Sequence, residues 1–158
     1  ETICWWTTMG VPMMFSDPEE PTAQQLEYVK NLFESFEQAL WARNWSETSG
    51  YPKYIDVDSF VDYYIVQELT KNVDGNLRKS SFITKERGKK FETYHLWDFD
   101  LTLGNCGYHH GSVGSGPENF WILSVNSYSK PGENWFNLMM KDPAFVTRIK
   151  NRWNELKP

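Results

Sequence analysis

Trp97-Asp98-Phe99-Asp100, continuing as Leu101-Thr102-Leu103-Gly104-Asn105, is the stretch on which the reading of this chain turns. Two carboxylates alternate with large apolar side chains. Trp97, Phe99 and Leu101 favour burial, whereas Asp98 and Asp100 resist it unless each finds a partner. On an extended strand, residues i and i+2 point the same way. A strand running through Phe99 therefore lets both carboxylates reach one ion. Magnesium suits such hard oxygen donors and usually shares them with phosphate oxygens; calcium is the second choice. The plainer alternative is one Asp capping a turn and the other a solvated charge. The spacing does not decide between them.

Working outward, residues 81–85 and 91–97 read as two strands around the polar loop Glu86-Arg87-Gly88-Lys89-Lys90. The paired aspartates close the second strand. Beyond them, the Gly-rich stretch 104–116, with His109 and His110, reads as a loop that folds over something or stays mobile. Upstream, Asn72-Val73-Asp74-Gly75-Asn76 is a turn by composition, because Asn, Asp and Gly tolerate left-handed backbone. A helix over 57–71 precedes it, capped by Asp56 with Ser59 three residues on, and faced by Phe60, Tyr64 or Ile65, and Leu69. Thr22 and Gln25 form a capping box for a helix over 23–44, with Leu26, Val29, Leu32 or Phe33, Phe36 and Leu40 at helical spacing. Residues 3–6 suit a short strand. Residues 9–22, with Gly10, Pro12, Pro18 and Pro21, read as a connector. Residues 135–140 suggest a short helix, and Asp142-Pro143 starts another, faced by Phe145, Ile149 and Trp153. The sum is an α+β chain, mostly helical, with a hairpin carrying the functional segments.

At 158 residues the chain fits one domain, and 40 % apolar with 16 % aromatic content suffices for a core. A net charge of -5 leaves no broad basic patch, which argues against a nucleic-acid partner. No apolar run approaches the roughly 20 residues of a membrane span. Cys4 and Cys106 have no CxxC partner; one disulfide is open to them, but two buried free thiols are the preferred reading. The chain starts Glu1-Thr2-Ile3 and ends directly after a helical pattern, so a piece cut from a larger protein is expected.

Other residues could carry chemistry. A loop-borne Asp74 can accept a proton from a substrate hydroxyl, or merely form an Asx turn. Asn76 can lend an amide oxygen to a metal shell, and Lys79 or Arg78 can neutralise a phosphate; the alternative is the polar face of a loop that includes Ser80. Asn105 offers a ligand or a turn cap. His95, His109 and His110 reach a common zinc ion only by an unforeseeable loop path. Lys85, Arg87, Lys89 and Lys90 make a basic tip, either solvated or facing an acidic partner.

The runs Val57-Asp58-Ser59-Phe60-Val61-Asp62-Tyr63-Tyr64-Ile65-Val66-Gln67-Glu68-Leu69, Asn72-Val73-Asp74-Gly75-Asn76 and Trp97 to Asn105, in this order, resemble the spore-coat protein H (CotH) kinase family. Trp135-Phe136-Asn137-Leu138-Met139-Met140-Lys141-Asp142-Pro143-Ala144-Phe145 is similar to that family's C-terminal helices. The likeness covers roughly residues 20–155. It implies an atypical, protein-kinase-like fold: a large C-terminal lobe over 21–158, with residues 1–20 a connector from a missing N-terminal lobe. It implies transfer of the ATP γ-phosphate to a protein hydroxyl in the intact parent, and an extracytoplasmic or cell-surface location. The implied catalytic residues are Asp74, Asn72 and Lys79, the last near a position where the family often has Asn. Nucleotide contacts fall to Asn76, Asp98 and Met14, and magnesium to Asp98, Asp100 and Asn76. Trp5, Trp6, Met13, Met14 and Phe15 form a surface toward the absent lobe or adenine, or ordinary core. In this chain alone, neither magnesium nor ATP is expected to bind tightly.

Two other functions compete. A non-enzymatic surface or spore-coat-like interaction module, glycan-associated in one variant, draws on the missing lobe and eight tryptophans. A metal-dependent hydrolase using Asp98 and Asp100 ranks last, because no ordered hydrolase motif is present.

Overall fold

The computed structural model describes residues 3–75, 77, 79–105 and 134–157. The chain opens with a two-stranded antiparallel sheet, β1 (Cys4–Trp6) and β2 (Pro12–Met14), in the register Cys4 to Met14, Trp5 to Met13 and Trp6 to Pro12. Among the described residues four helices follow: α1 (Ala23–Trp41), α2 (Val57–Thr70), α3 (Trp135–Met139) and α4 (Pro143–Leu156), with a 3-10 turn at Tyr51–Lys53. The fold is mixed α+β and mostly helical.

The helix starts follow the sequence closely. Thr22 Oγ1 accepts from Gln25 N–H at 3.2 Å while Gln25 Oε1 accepts from Thr22 N–H at 2.8 Å, the reciprocal box that begins α1. Asp56 caps α2 through Ser59 N–H at 2.9 Å, and Asp142 caps α4 through Ala144 N–H at 2.9 Å. Helix α1 stops at Trp41 rather than near residue 44, because Arg43 turns left-handed.

Three expectations about strands are corrected. Residues 9–22 are not only a connector, since β2 lies within them. Gly10, at φ 82°, sits in the turn where Gly10 N–H donates to Thr7 O and Thr7 N–H to Val11 O. The two strands expected at 81–85 and 91–97 shrink to one antiparallel pair, Thr84 with Glu92. The chain around 91–93 finds its hydrogen bonds elsewhere. Phe91 N–H donates to Tyr54 O, Asp56 N–H to Phe91 O, and Thr93 N–H to Ser59 Oγ on α2. A two-stranded ribbon holds together poorly by itself, and here the helical scaffold supplies the partners. The small sheet of this fold therefore carries neither Asp74 nor Asp98.

The core is aromatic. Phe33 stacks on Phe91 and Trp135, with ring centroids 4.4 and 5.7 Å apart, and Phe36 meets Trp135 edge-on at 4.9 Å. Phe60, Tyr63 and Tyr64 of α2 surround Phe136. Phe145 brings α4 into this cluster, while Ile149 is half-buried and Trp153 exposed. Leu69, expected on the inner face of α2, is exposed. Across α2 and α4, Arg152 bonds Asp62 at 2.7 and 3.3 Å, and Arg148 bonds Asp58 at 2.8 Å.

Two buried polar anchors hold distant segments. The Tyr51 hydroxyl donates to Asp142 Oδ2 at 2.9 Å, and burial with the adjacent carboxylate raises its pKa. Glu37 lies within the apolar stripe of Phe33, Phe36 and Leu40, one helical turn from each end of it, and is almost wholly enclosed. Its two oxygens accept from Trp135 Nε1 and Met9 N–H, both at 2.8 Å.

Candidate functional site

Helix α2 is the spine to which both motif segments attach. Its C-terminus turns at Lys71, which is left-handed at φ 53°. Asn72 N–H donates to Gln67 O, Gly75 N–H to Asn72 O at 2.9 Å, and Asn72 Oδ1 accepts from Asp74 N–H at 3.2 Å. The Asn72–Gly75 turn is thus present, and Asn72 and Asp74 are buried in it. The reason for its composition differs from the expectation. The left-handed residues are Lys71, Leu77 and Ser80, not Asn72, Asp74 or Gly75. Gly75 is needed for space: a Cβ there would lie 2.8 Å from Gln67 Oε1 and 2.9 Å from Asn72 O. That Gln67 oxygen is buried and has no hydrogen-bond partner among the described residues.

The loop then closes on itself and on α2. Lys79 N–H donates to Asp74 O at 3.2 Å. The hydroxyls of Tyr63 and Ser81 are 2.7 Å apart, and Ser81 Oγ donates to Lys79 O at 3.0 Å. Burial pushes the Tyr63 phenol up to about 12, so it stays protonated. The Lys79 side chain itself is exposed.

The Trp97–Asp100 segment differs most from its expectation. Trp97 is 64 % exposed, and Phe99 and Leu101 are only half-buried. Asp98 adopts φ 59°, so the chain is not extended through Phe99, and the i, i+2 argument for a shared carboxylate face fails. The segment instead forms turns. Thr102 Oγ1 donates to Phe99 O at 2.7 Å, Asn105 Nδ2 to Asp100 O at 2.8 Å, and Leu103 N–H to Thr70 O at 2.7 Å on α2. Asn105 therefore acts as a turn cap.

A side-chain hydrogen bond links the two segments. Ser80 Oγ donates to Asp98 Oδ2 at 2.9 Å. Ser80 is a residue the sequence left in the polar face of the loop. Nothing in the local sequence signals that a serine pairs with a carboxylate 18 positions away.

The remaining site residues fall as follows. Asp98 and Asp100 are exposed. Met14 ends β2 and is 60 % exposed; no described hydrogen bond or ring contact ties it to Asp74 or Asp98. Asn76, Arg78, Cys106, His109 and His110 lie outside the described residues. Cys4 is exposed and unpaired, against the expectation of a buried thiol. His95 packs against Phe82, with ring centroids 6.1 Å apart. The basic tip is largely spoken for: Lys89 pairs with Glu86, Lys90 Nζ donates to Pro52 O, and Lys85 lies over the Tyr28 ring.

Among the described residues, no three His, Cys, Asp or Glu gather to hold an ion. What the site offers is Asp98, with Oδ2 engaged by Ser80, and Asp100 close by in sequence. Carboxylate oxygens alone are the donor type of magnesium, which completes its shell with phosphates and water, and lack the nitrogen and sulfur donors of zinc sites. No helix among the described residues is long and apolar enough to cross a membrane.

A family profile described as CotH kinase protein matches residues 12–157. No curated protein and no solved structure matches the chain.

Proposed function

The chain belongs to the CotH kinase protein family, and from that premise we propose that it is the large lobe of a kinase-like phosphotransferase acting on protein hydroxyls. The reading includes a small N-terminal lobe elsewhere in the same protein, reached through residues 1–20, and an extracytoplasmic or cell-surface setting. The observation that carries it is the Ser80–Asp98 hydrogen bond, which joins the Asn72-Val73-Asp74 loop to the Trp97–Asp100 segment. Phosphoryl transfer depends on that kind of placement more than on covalent chemistry by the protein.

In this reading Asp74 accepts the proton of the substrate hydroxyl. Asn72 sets the Asp74 backbone through its amide oxygen. Lys79, exposed on the same loop, attracts phosphate oxygens. Asp98 and Asp100, with Asn76 in the same loop as Asp74, present oxygens to magnesium. When bound, magnesium neutralises charge on the phosphate oxygens. Met14, exposed on β2, belongs to the face that meets the nucleotide and the small lobe.

The test is phosphate transfer from γ-labelled ATP to a protein acceptor by the full-length protein, with and without magnesium. Magnesium-dependent labelling of Ser or Thr supports the reading. Turnover of a substrate without ATP would replace it with a hydrolase.

A second reading, a binding module without catalysis, is favoured by one observation. Leu96 and Trp97, the two residues before Asp98, are both exposed. Adjacent large apolar side chains left in solvent can serve as a contact surface. Glycan binding lost on Trp97→Ala, in a protein without transfer activity, would establish it.

A further inference from the structure

Five of the six non-glycine residues with positive φ among the described residues fall in or within four residues of the two motif segments: Lys71, Leu77, Ser80, Asp98 and Leu103. Backbone strain of this kind persists only where surrounding contacts over-determine it, and it gathers at functional sites. Ser80 and Asp98, at φ 48° and 59°, are both left-handed and are bonded to each other.

We infer that Ser80 is a positioning residue for Asp98, an inference that rests on the phosphotransferase reading. The bond is exposed, where an isolated hydroxyl–carboxylate contact would compete poorly with water. Here each segment is tied down near the bond. Ser80 lies between Lys79, whose N–H is bound to Asp74 O, and Ser81, bound to Tyr63 of α2. On the other side Leu103 N–H binds Thr70 O, also of α2. With both segments tied to one helix within five residues of the bond, closing it orders less than joining two free segments. The hydroxyl occupies Oδ2 and leaves Oδ1 without a hydrogen bond among the described residues. A carboxylate held by one oxygen presents the other in a set direction, as hydrogen-bonded metal-ligating carboxylates do. Ser80 also follows Asp74 by a short loop, so the same contact sets the proton-accepting segment relative to the cation-binding one.

The experiment titrates Mn2+, as a paramagnetic stand-in for magnesium, into the full-length protein with a non-hydrolysable ATP analogue, read by electron paramagnetic resonance. Ser80→Ala should weaken Mn2+ binding by about tenfold. Ser80→Gly, which also relieves the left-handed strain, should weaken it equally while leaving or raising the melting temperature. Ser80→Asn, which tolerates left-handed backbone and keeps a donor, should retain most of the affinity. In transfer assays Ser80→Ala should raise the metal concentration for half-maximal rate more than it lowers the rate at saturating metal. Asp98→Asn is the control that separates the two claims. Loss of Mn2+ binding in Asp98→Asn with wild-type binding in Ser80→Ala and Ser80→Gly overturns the positioning role alone. Wild-type binding in Asp98→Asn, or none in the unaltered protein, overturns the metal assignment and the positioning role with it.

Discussion

The indole Nε1 of Trp135 donates to Oε1 of Glu37 at 2.8 Å, joining α3 to α1 through the centre of the core. The other carboxylate oxygen accepts from Met9 N–H, which ties the β1–β2 hairpin to the same point. Burial raises the Glu37 pKa above 4.5, and the hydrogen bonds from Thr7, Met9, Trp135 and Thr8 oppose that rise without cancelling it.

Glu37→Gln keeps the shape but points an amide N–H₂ at one of these donors. It should destabilise the protein by about 1–3 kcal/mol. The difference depends on pH. In the unfolded chain Glu37 loses its proton near 4.5, and in the folded chain only at higher pH. The folded state therefore binds more protons in that window, and its stability falls as pH rises through it. Urea unfolding of both proteins from pH 4 upward should show the wild-type advantage largest in acid and shrinking above about 4.5. An advantage that grows with pH contradicts this account of Glu37.

Gly75→Ala should destabilise the chain by about 1–3 kcal/mol, because the added Cβ meets Gln67 Oε1 and Asn72 O. Shortening Gln67 in the same protein should recover only part of this, since the Asn72 carbonyl is backbone and cannot withdraw. Thermal melts of the single and double variants read the difference. Full recovery would show that the turn gives way more readily than its geometry implies.

Tyr51→Phe removes the donor to Asp142 Oδ2 while leaving the buried carboxylate in place. A loss of about 1–3 kcal/mol is expected. Asp142→Ala should lose more, since the same side chain caps α4 through Ala144 N–H. Denaturant unfolding in which Tyr51→Phe matched or exceeded Asp142→Ala would contradict the shared-anchor role.

Helix starts were legible in the sequence because capping is local: Thr22 with Gln25, Asp56 with Ser59, and Asp142 before Pro143 each act within three residues. Glu37 was legible in principle, as a charge at core spacing between Phe33 and Leu40. Strand β2 was not, since its partner is defined by pairing rather than by pattern and Pro12 argues against a strand. Asp98 was identified as a site residue, but its surroundings were misjudged. Nothing in Trp97-Asp98-Phe99 signals a left-handed aspartate or an exposed tryptophan, and the partners of this segment, Ser80 and Thr70, are remote in sequence. The spacing of Asp98 and Asp100 was thus read through an extended geometry that the chain does not adopt.

The central claim is that Asp74 and Asp98 belong to one phosphotransfer site. The most direct measurement is the rate of magnesium-dependent phosphate transfer by the full-length protein carrying Asp74→Ala or Asp98→Ala, with circular dichroism showing that each variant is folded. The account predicts that each variant loses at least about a hundredfold in rate. Transfer at the unaltered rate in both folded variants would contradict it.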